Sequence, residues 1–214
     1  MNLVALIPAR GGSQRLPRKN ILLLNKQPLI YWICKAVQDS NIPVGYVSTE
    51  DAEIKTTVDG FGFSKIKTID RALSTATDTA SAIDVIDDFS SRVDWSALAL
   101  LQAPCPLLKP EHINGALSAW SVSKYNSIVS VVRQRRFLWD NEGDPKYDIR
   151  KRPRTQDYPG LLIECGAMYM IKRDAYKQYH NFLGGNIGIY ELPDYMYTEI
   201  DTEADLKIVE ALMS

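Results

Sequence analysis

The stretch Leu3-Val4-Ala5-Leu6-Ile7-Pro8-Ala9-Arg10-Gly11-Gly12-Ser13-Gln14-Arg15-Leu16-Pro17-Arg18-Lys19-Asn20 decides the fold. Its first five residues are apolar without interruption, the pattern of a strand buried on both faces. The run stops at Pro8 and gives way to a loop holding two glycines and four cations. A buried strand that empties into such a loop opens an α/β unit, in which ligands sit at the carboxyl ends of the strands. Glycine lets backbone N–H groups approach oxygen atoms closely, and Arg10, Arg15 and Lys19 can offset the charge of several phosphates. A solvated basic turn would have the same composition, but placement directly after a buried strand favours phosphate. No G-x-x-x-x-G-K-[ST] and no G-x-G-x-x-G occurs, so neither the Walker loop nor the dinucleotide fingerprint applies.

Outward from this segment, helix-like and strand-like patterns alternate. Leu29, Ile30, Ile33, Ala36 and Val37 recur at helical spacing, which predicts a helix over 28–39 ended by Asn41 and Pro43. Strands are predicted at 44–48, 65–69 and 97–101, with helices at 51–60, 78–90 (capped by Thr77 or Asp78) and 110–124. After a strand at 127–132 the character changes: residues 133–159 are highly charged, carry three prolines and lack periodicity. Residues 166–171 resume a strand, followed by a helix at 173–179, a strand at 187–192 and a closing helix at 203–212. The expected class is α/β, a Rossmann-like, mostly parallel sheet flanked by helices. The expected organisation is a single domain over 1–214 with an excursion at 133–160.

The 214 residues suit one sizeable core. With 25 basic and 26 acidic side chains the formal net charge is −1, which provides no whole-protein field for nucleic acid or an anionic membrane. Any anion site must be local. The opening apolar run is too short for a signal-peptide core or a membrane span, so a cytoplasmic protein is expected. Cys34, Cys105 and Cys165 are odd in number and form no C-x-x-C pair, and His112 and His180 lack a ligand pattern, which argues against structural zinc and a disulfide framework. Buried apolar thiols are the expected reading.

Ile7 through Asn20 closely resembles the amino-terminal signature of the acylneuraminate (CMP-sialic acid) cytidylyltransferase family, roughly [IL]-P-A-R-G-G-S-[KQ]-x-[IL]-P-x-K-N. The resemblance runs on through Arg71, Asp78-Thr79-Ala80-Ser81, Leu100-Leu101-Gln102, Gly166-Ala167-Met168-Tyr169 and Glu199-Ile200-Asp201-Thr202-Glu203. It implies a Rossmann-like nucleotidyltransferase, usually dimeric, that uses Mg²⁺ (or Mn²⁺) and CTP to activate a nine-carbon 2-keto sugar acid with release of pyrophosphate. Arg10 and Lys19 would engage the triphosphate and, with Asp201, carry the chemistry. Asn20, Arg71 and Ser81 would help hold cytidine, within a nucleotide site that also takes in Ala9, Gly11, Gly12, Ser13, Arg15, Thr79 and Ala80.

The residues themselves are compatible with these roles and with plainer ones. Arg71 ahead of a Ser/Thr-rich stretch offers a donor for a pyrimidine carbonyl, whereas Thr77-Asp78-Thr79 taken alone is a helix cap. Gln102 follows a buried strand, where strand ends deliver polar groups into a site. Glu199 and Asp201 share one face of an extended segment, a presentation suited to a hard cation, and Asp201-Thr202-Glu203 also reads as a helix cap. Family members carry D-[IV]-D there, so Glu199 departs from the pattern. Leu108 stands where relatives have arginine, and Ile163-Glu164-Cys165-Gly166 where sialic acid enzymes have R-P-N-G. Arg154 and Gln156, in a basic run, are assigned with Gln102 and Tyr169 to the sugar, or to a neighbouring subunit's site. Two rivals stay open: a nucleotidyltransferase acting on Kdo or a sugar 1-phosphate, and a nucleotide-binding domain without turnover.

Overall fold

The computed structural model describes residues 2–213. Leu3–Pro8 forms β1, and a short antiparallel ribbon of Leu23–Leu24 (β2) and Gln27–Pro28 (β3) leads into α1, Leu29–Asp39. Gly45–Thr49 (β4), Ala52–Asp59 (α2) and Ile66–Asp70 (β5) follow, then Ala82–Ser90 (α3), Ala97–Leu101 (β6) and Pro110–Val122 (α4). Ser127–Gln134 is β7, Leu161–Lys172 β8, Arg173–Tyr179 α5, Ile187–Leu192 β9 and Glu203–Leu212 α6.

Seven strands form one sheet in the order β5-β4-β1-β6-β8-β7-β9. β1 pairs in parallel with both β4 and β6, so the chain leaves it first to one side and later to the other. The loop after β1 therefore opens at the point where the strand order reverses, the place where doubly wound sheets leave a crevice. β8 is antiparallel to both β6 and β7, while β9 returns to parallel pairing on β7.

The uniform apolar runs are explained by two-sided burial. On β1, Leu3, Ala5 and Ile7 join one core cluster with residues of α1, α2, α4 and α6, while Val4 and Leu6 join a second with residues of α3 and α5. All five residues of β6 are likewise buried, alternating between the two clusters. The three cysteines are free and buried.

Two expectations are corrected. The third helix begins at Ala82 and not at 78, because Ser81 is its cap: the Ser81 hydroxyl accepts from Asp84 N, and the Asp84 carboxylate accepts from Ser81 N in return. Residues 77–80 remain loop. The strand expected at 166–171 begins at Leu161, and its antiparallel direction follows from the excursion before it, which turns the chain round between β7 and β8. In that excursion, short 3-10 turns at Ile149–Lys151 and Thr155–Asp157 are joined by an aromatic group of Phe137, Tyr147 and Tyr158, with the Arg152 guanidinium 4.4 Å from the Phe137 ring centre. No helix among the described residues is long and apolar enough to cross a membrane.

Candidate active site

The loop after β1 is held by its backbone and presents its side chains. Ala9 N donates to Ser48 O (2.9 Å), Gly11 N to Glu50 Oε1 (2.7 Å), and the buried Asn20 amide to Arg10 O (2.9 Å). Arg18, in a left-handed conformation (φ 57°), reaches back to Asp51 and Glu53. Gly11 is required by close approach: a β-carbon there would lie 2.3 Å from Asp51 Oδ2. Arg18 thus serves the loop's shape, and the Gly11 N–H expected near phosphate is already given to Glu50.

What remains faces a cleft of about 340 Å³. Arg10, Ser13, Arg15, Lys19 and Asn20 form its floor. Arg71 enters from the end of β5 with Ala80 and Ser81 beside it, Gln102 from the end of β6, and Asp201 from the turn before α6. Nearly all of these come from segments just beyond the carboxyl ends of parallel strands, as the sheet topology requires. Arg71 is buried, with Nε donating to Thr75 Oγ1 at 3.2 Å. Burial pushes its guanidinium pKa down, and the nearby Glu50 charge opposes that shift.

Ion pairs already span the cleft. Arg10 meets Asp78 at 2.6 Å, and Gln14 donates to the same carboxylate at 2.7 Å. Arg15 and Lys19 converge on Asp201 at 2.8 and 2.9 Å. An anionic ligand must therefore exchange with Asp78 and Asp201 for these cations. Asp78, expected as a helix cap, instead holds Arg10 and Gln14. Gln14 carried no assigned role in the sequence, since nothing local shows that the two meet, nor did Glu50, although a carboxylate directly after a buried strand is a signal.

Several expected residues lie elsewhere. Ala9 is fully buried, and Gly11, Gly12 and Thr79 do not line the cleft. Glu199 and Asp201 diverge: Asp201 lines the cleft, while the Glu199 carboxylate lies over the backbone of Gly166, whose φ of 68° and missing β-carbon make the room. Burial, and then the Asp201 charge, pushes the Glu199 pKa up. Tyr169 is buried and donates to Glu164. Arg154 and Gln156 are exposed outside this cleft, Arg154 pairing with Asp157 at 2.6 Å. Leu108 is buried, so no cation stands at that point.

Among the described residues, no three or more His, Cys, Asp or Glu side chains are grouped so that they could hold a metal ion by themselves. A metal held here would rely on Asp201, with Glu199 one residue removed, and on ligand and water oxygens. That donor set fits a hard cation that retains its waters and does not fit zinc.

The profile of the family described as Cytidylyltransferase matches residues 4–212. The chain is 34% identical over 215 residues to N-acylneuraminate cytidylyltransferase B of Danio rerio, covering 96% of this chain and 50% of that protein. It is 36% identical over 228 residues to the CMP-N,N'-diacetyllegionaminic acid synthase of Legionella pneumophila, covering 100% of this chain and 97% of that one. The chain spans about half the length of the vertebrate relatives it matches. In fold it is similar to a CMP:2-keto-3-deoxy-manno-octonic acid synthetase solved in complex with CTP, with a TM-score of 0.74 at 21% identity over 100% of this chain and 98% of that one.

Proposed function

We propose, on the premise that this chain belongs to the cytidylyltransferase family, that it transfers CMP from CTP to the anomeric hydroxyl of a nine-carbon 2-keto sugar acid. The observation that carries this reading is the convergence of Arg10, Arg15, Lys19 and Arg71 on one cleft with Asp201. The names of relatives matched over nearly the whole of this chain support a nine-carbon acceptor.

The chemical obstacle is bringing an anionic sugar to a tetra-anionic triphosphate. Arg10, Arg15 and Lys19 hold the phosphates and offset charge on the departing pyrophosphate. Asn20, Arg71, Ala80 and Ser81 hold the nucleoside, and Gln102 serves the sugar from the cleft wall, with Tyr169 acting from behind it through Glu164. The sugar hydroxyl forms its bond to the α-phosphorus as the bond to pyrophosphate breaks, and its proton leaves to water or to Asp201. A divalent cation such as Mg²⁺ or Mn²⁺, held by Asp201 with Glu199 nearby, would supply Lewis-acid charge at the phosphates. The protein's share is positioning and preorganised charge.

A homodimer formed through the 133–160 arm belongs to the same proposal, supported by Trp139 and Ile149, which expose 56% and 59% of their surface there. Such a pairing could carry Arg154 and Gln156 into the partner's site. The cytoplasm, where CTP is made, is the proposed compartment. The test is pyrophosphate release from CTP and Mg²⁺ with a panel of N-acetylneuraminic, legionaminic, pseudaminic and Kdo acids. Release with a nine-carbon acid is expected; release with Kdo alone favours the eight-carbon reading, and no sugar-dependent release removes the proposal.

A further inference from the structure

β8 does not run straight past the site. Val129 of β7 pairs with Tyr169, yet Val131, two residues on, pairs with Glu164, five residues back, which leaves three residues of β8 over. In an unbroken strand, residues an odd number apart face opposite sides, so Glu164 and Tyr169 would never meet. The bulge brings them onto one face, and the Tyr169 hydroxyl donates a hydrogen bond to Glu164 Oε1.

This irregularity is built. Gly166 supplies the left-handed backbone at φ 68°. The buried Ser130 hydroxyl accepts from Met168 N at 3.0 Å and lies 3.4 Å from Cys165 Sγ. Tyr169 is fixed edge-on against Phe182, with ring centres 4.8 Å apart. Bulges of this kind re-aim side chains beside functional sites. Here the effect is to hold an exposed carboxylate by one oxygen, while its Oε2 has no hydrogen-bond partner among the described residues.

The bulge also adjoins the cleft. Gln102, which lines it, donates its backbone N–H to Ala167 O at 3.2 Å, and the Glu199 carboxylate lies on Gly166. Arg10, Arg15, Lys19 and Arg71 line the cleft together with Asp78 and Asp201, while Glu164 and Glu199 lie outside that lining and sense each other's charge. A sugar carboxylate directed at Glu164 would meet like charge. A nitrogen substituent bearing N–H donors and positive charge would meet a preplaced acceptor.

We propose that Glu164 is a specificity-determining residue for the acceptor, its carboxylate selecting a cationic nitrogen substituent on the sugar acid over the neutral acylated counterpart. This rests on the sugar-acid reading above and adds the class of substituent.

An acetamidino group is cationic at neutral pH and nearly isosteric with acetamido, so two nine-carbon acids differing only there isolate the charge. The measurement is the ratio of kcat/KM for pyrophosphate release with the two acids, in the wild type and in Glu164→Gln. Glutamine retains an acceptor for Tyr169, and calorimetric CTP binding checks that the variant is folded. The wild type is expected to favour the amidino acid about tenfold, the scale of one charge-assisted hydrogen bond at an exposed position, and Glu164→Gln to bring the ratio near one. A wild-type ratio near one, or a ratio unchanged in Glu164→Gln, overturns the role of Glu164 while the transferase reading stands. Turnover of no sugar acid removes the transferase reading and this proposal with it.

Discussion

At the residue scale, each cation that the loop after β1 sends into the cleft is already engaged: Arg10 by Asp78, and Arg15 and Lys19 by Asp201. Asp78 thus competes with an incoming triphosphate. An ion pair this exposed is worth at most about 1 kcal/mol, so Asp78→Asn should tighten CTP binding by roughly two- to fivefold in calorimetry. Weaker binding would mean that Asp78 contacts the nucleotide itself. Neutral replacement of Arg10 or Lys19 should lower kcat by roughly 10²–10³, the cost of losing a preorganised charge in a water-poor site, with the circular dichroism spectrum unchanged. Wild-type turnover would remove them from the triphosphate site. For the metal the ordering is the test. Asp201→Asn should nearly abolish transfer and weaken Mg²⁺ activation, Glu199→Gln should do less, and Glu199→Asp should preserve activity. Equal mild losses with the same Mg²⁺ dependence would place the metal elsewhere.

At the scale of elements, Asp51 joins α2 to the loop. Its carboxylate caps the helix, accepting from Glu53 N and Ile54 N at 3.0 and 2.9 Å, and pairs with Arg18. The hydrogen-bonded Arg18 guanidinium holds its pKa at about 2, against roughly 4 in an unfolded chain. The folded value is the lower one, so the stabilisation is full above about pH 4 and is lost as pH falls through about 2. Asp51→Asn keeps a cap acceptor and loses the charge. Its urea midpoint should fall below the wild type's at pH 7, and the gap should close between about pH 4 and pH 2; a gap independent of pH would exclude the ion pair as its source. Gly166 joins β8 to the turn before α6 in a similar way. Alanine there meets both an unfavourable φ, costing about 1–2 kcal/mol, and Glu199 Oε1 at 2.0 Å from the added carbon. Gly166→Ala should therefore lower Tm by at least about 2–4 °C and reduce transfer as Glu199 is displaced. A lower Tm with full transfer would show that the position of Glu199 is immaterial.

At the scale of the whole molecule, the excursion between β7 and β8 leaves Trp139 and Ile149 exposed around an internally packed aromatic group, with Leu162 exposed at the start of β8. A two-fold pairing through this arm would cover them. Sedimentation at micromolar concentration should give a dimer, and Trp139→Asp with Ile149→Asp a monomer of reduced activity. A strict wild-type monomer with full activity would count against the arm.

The amino-acid sequence by itself determined the parallel half of the sheet and the cationic loop that opens the site. Burial on both faces is written in local composition, as in Leu3–Pro8 and Ala97–Leu101, and a run of cations after such a strand needs no distant partner to be recognised. Tertiary structure decided what depends on partners remote in the chain. Thr77, Asp78 and Ser81 can all cap a helix; Ser81 does so here, and the Asp78 carboxylate is engaged by Arg10 and Gln14. Glu199 and Asp201 look equivalent in sequence, and the space left by Gly166, more than thirty positions earlier, separates them. The direction of β8 and the bulge that joins Glu164 to Tyr169 arise from pairing with β6 and β7, and pairing between distant strands leaves no period in either one.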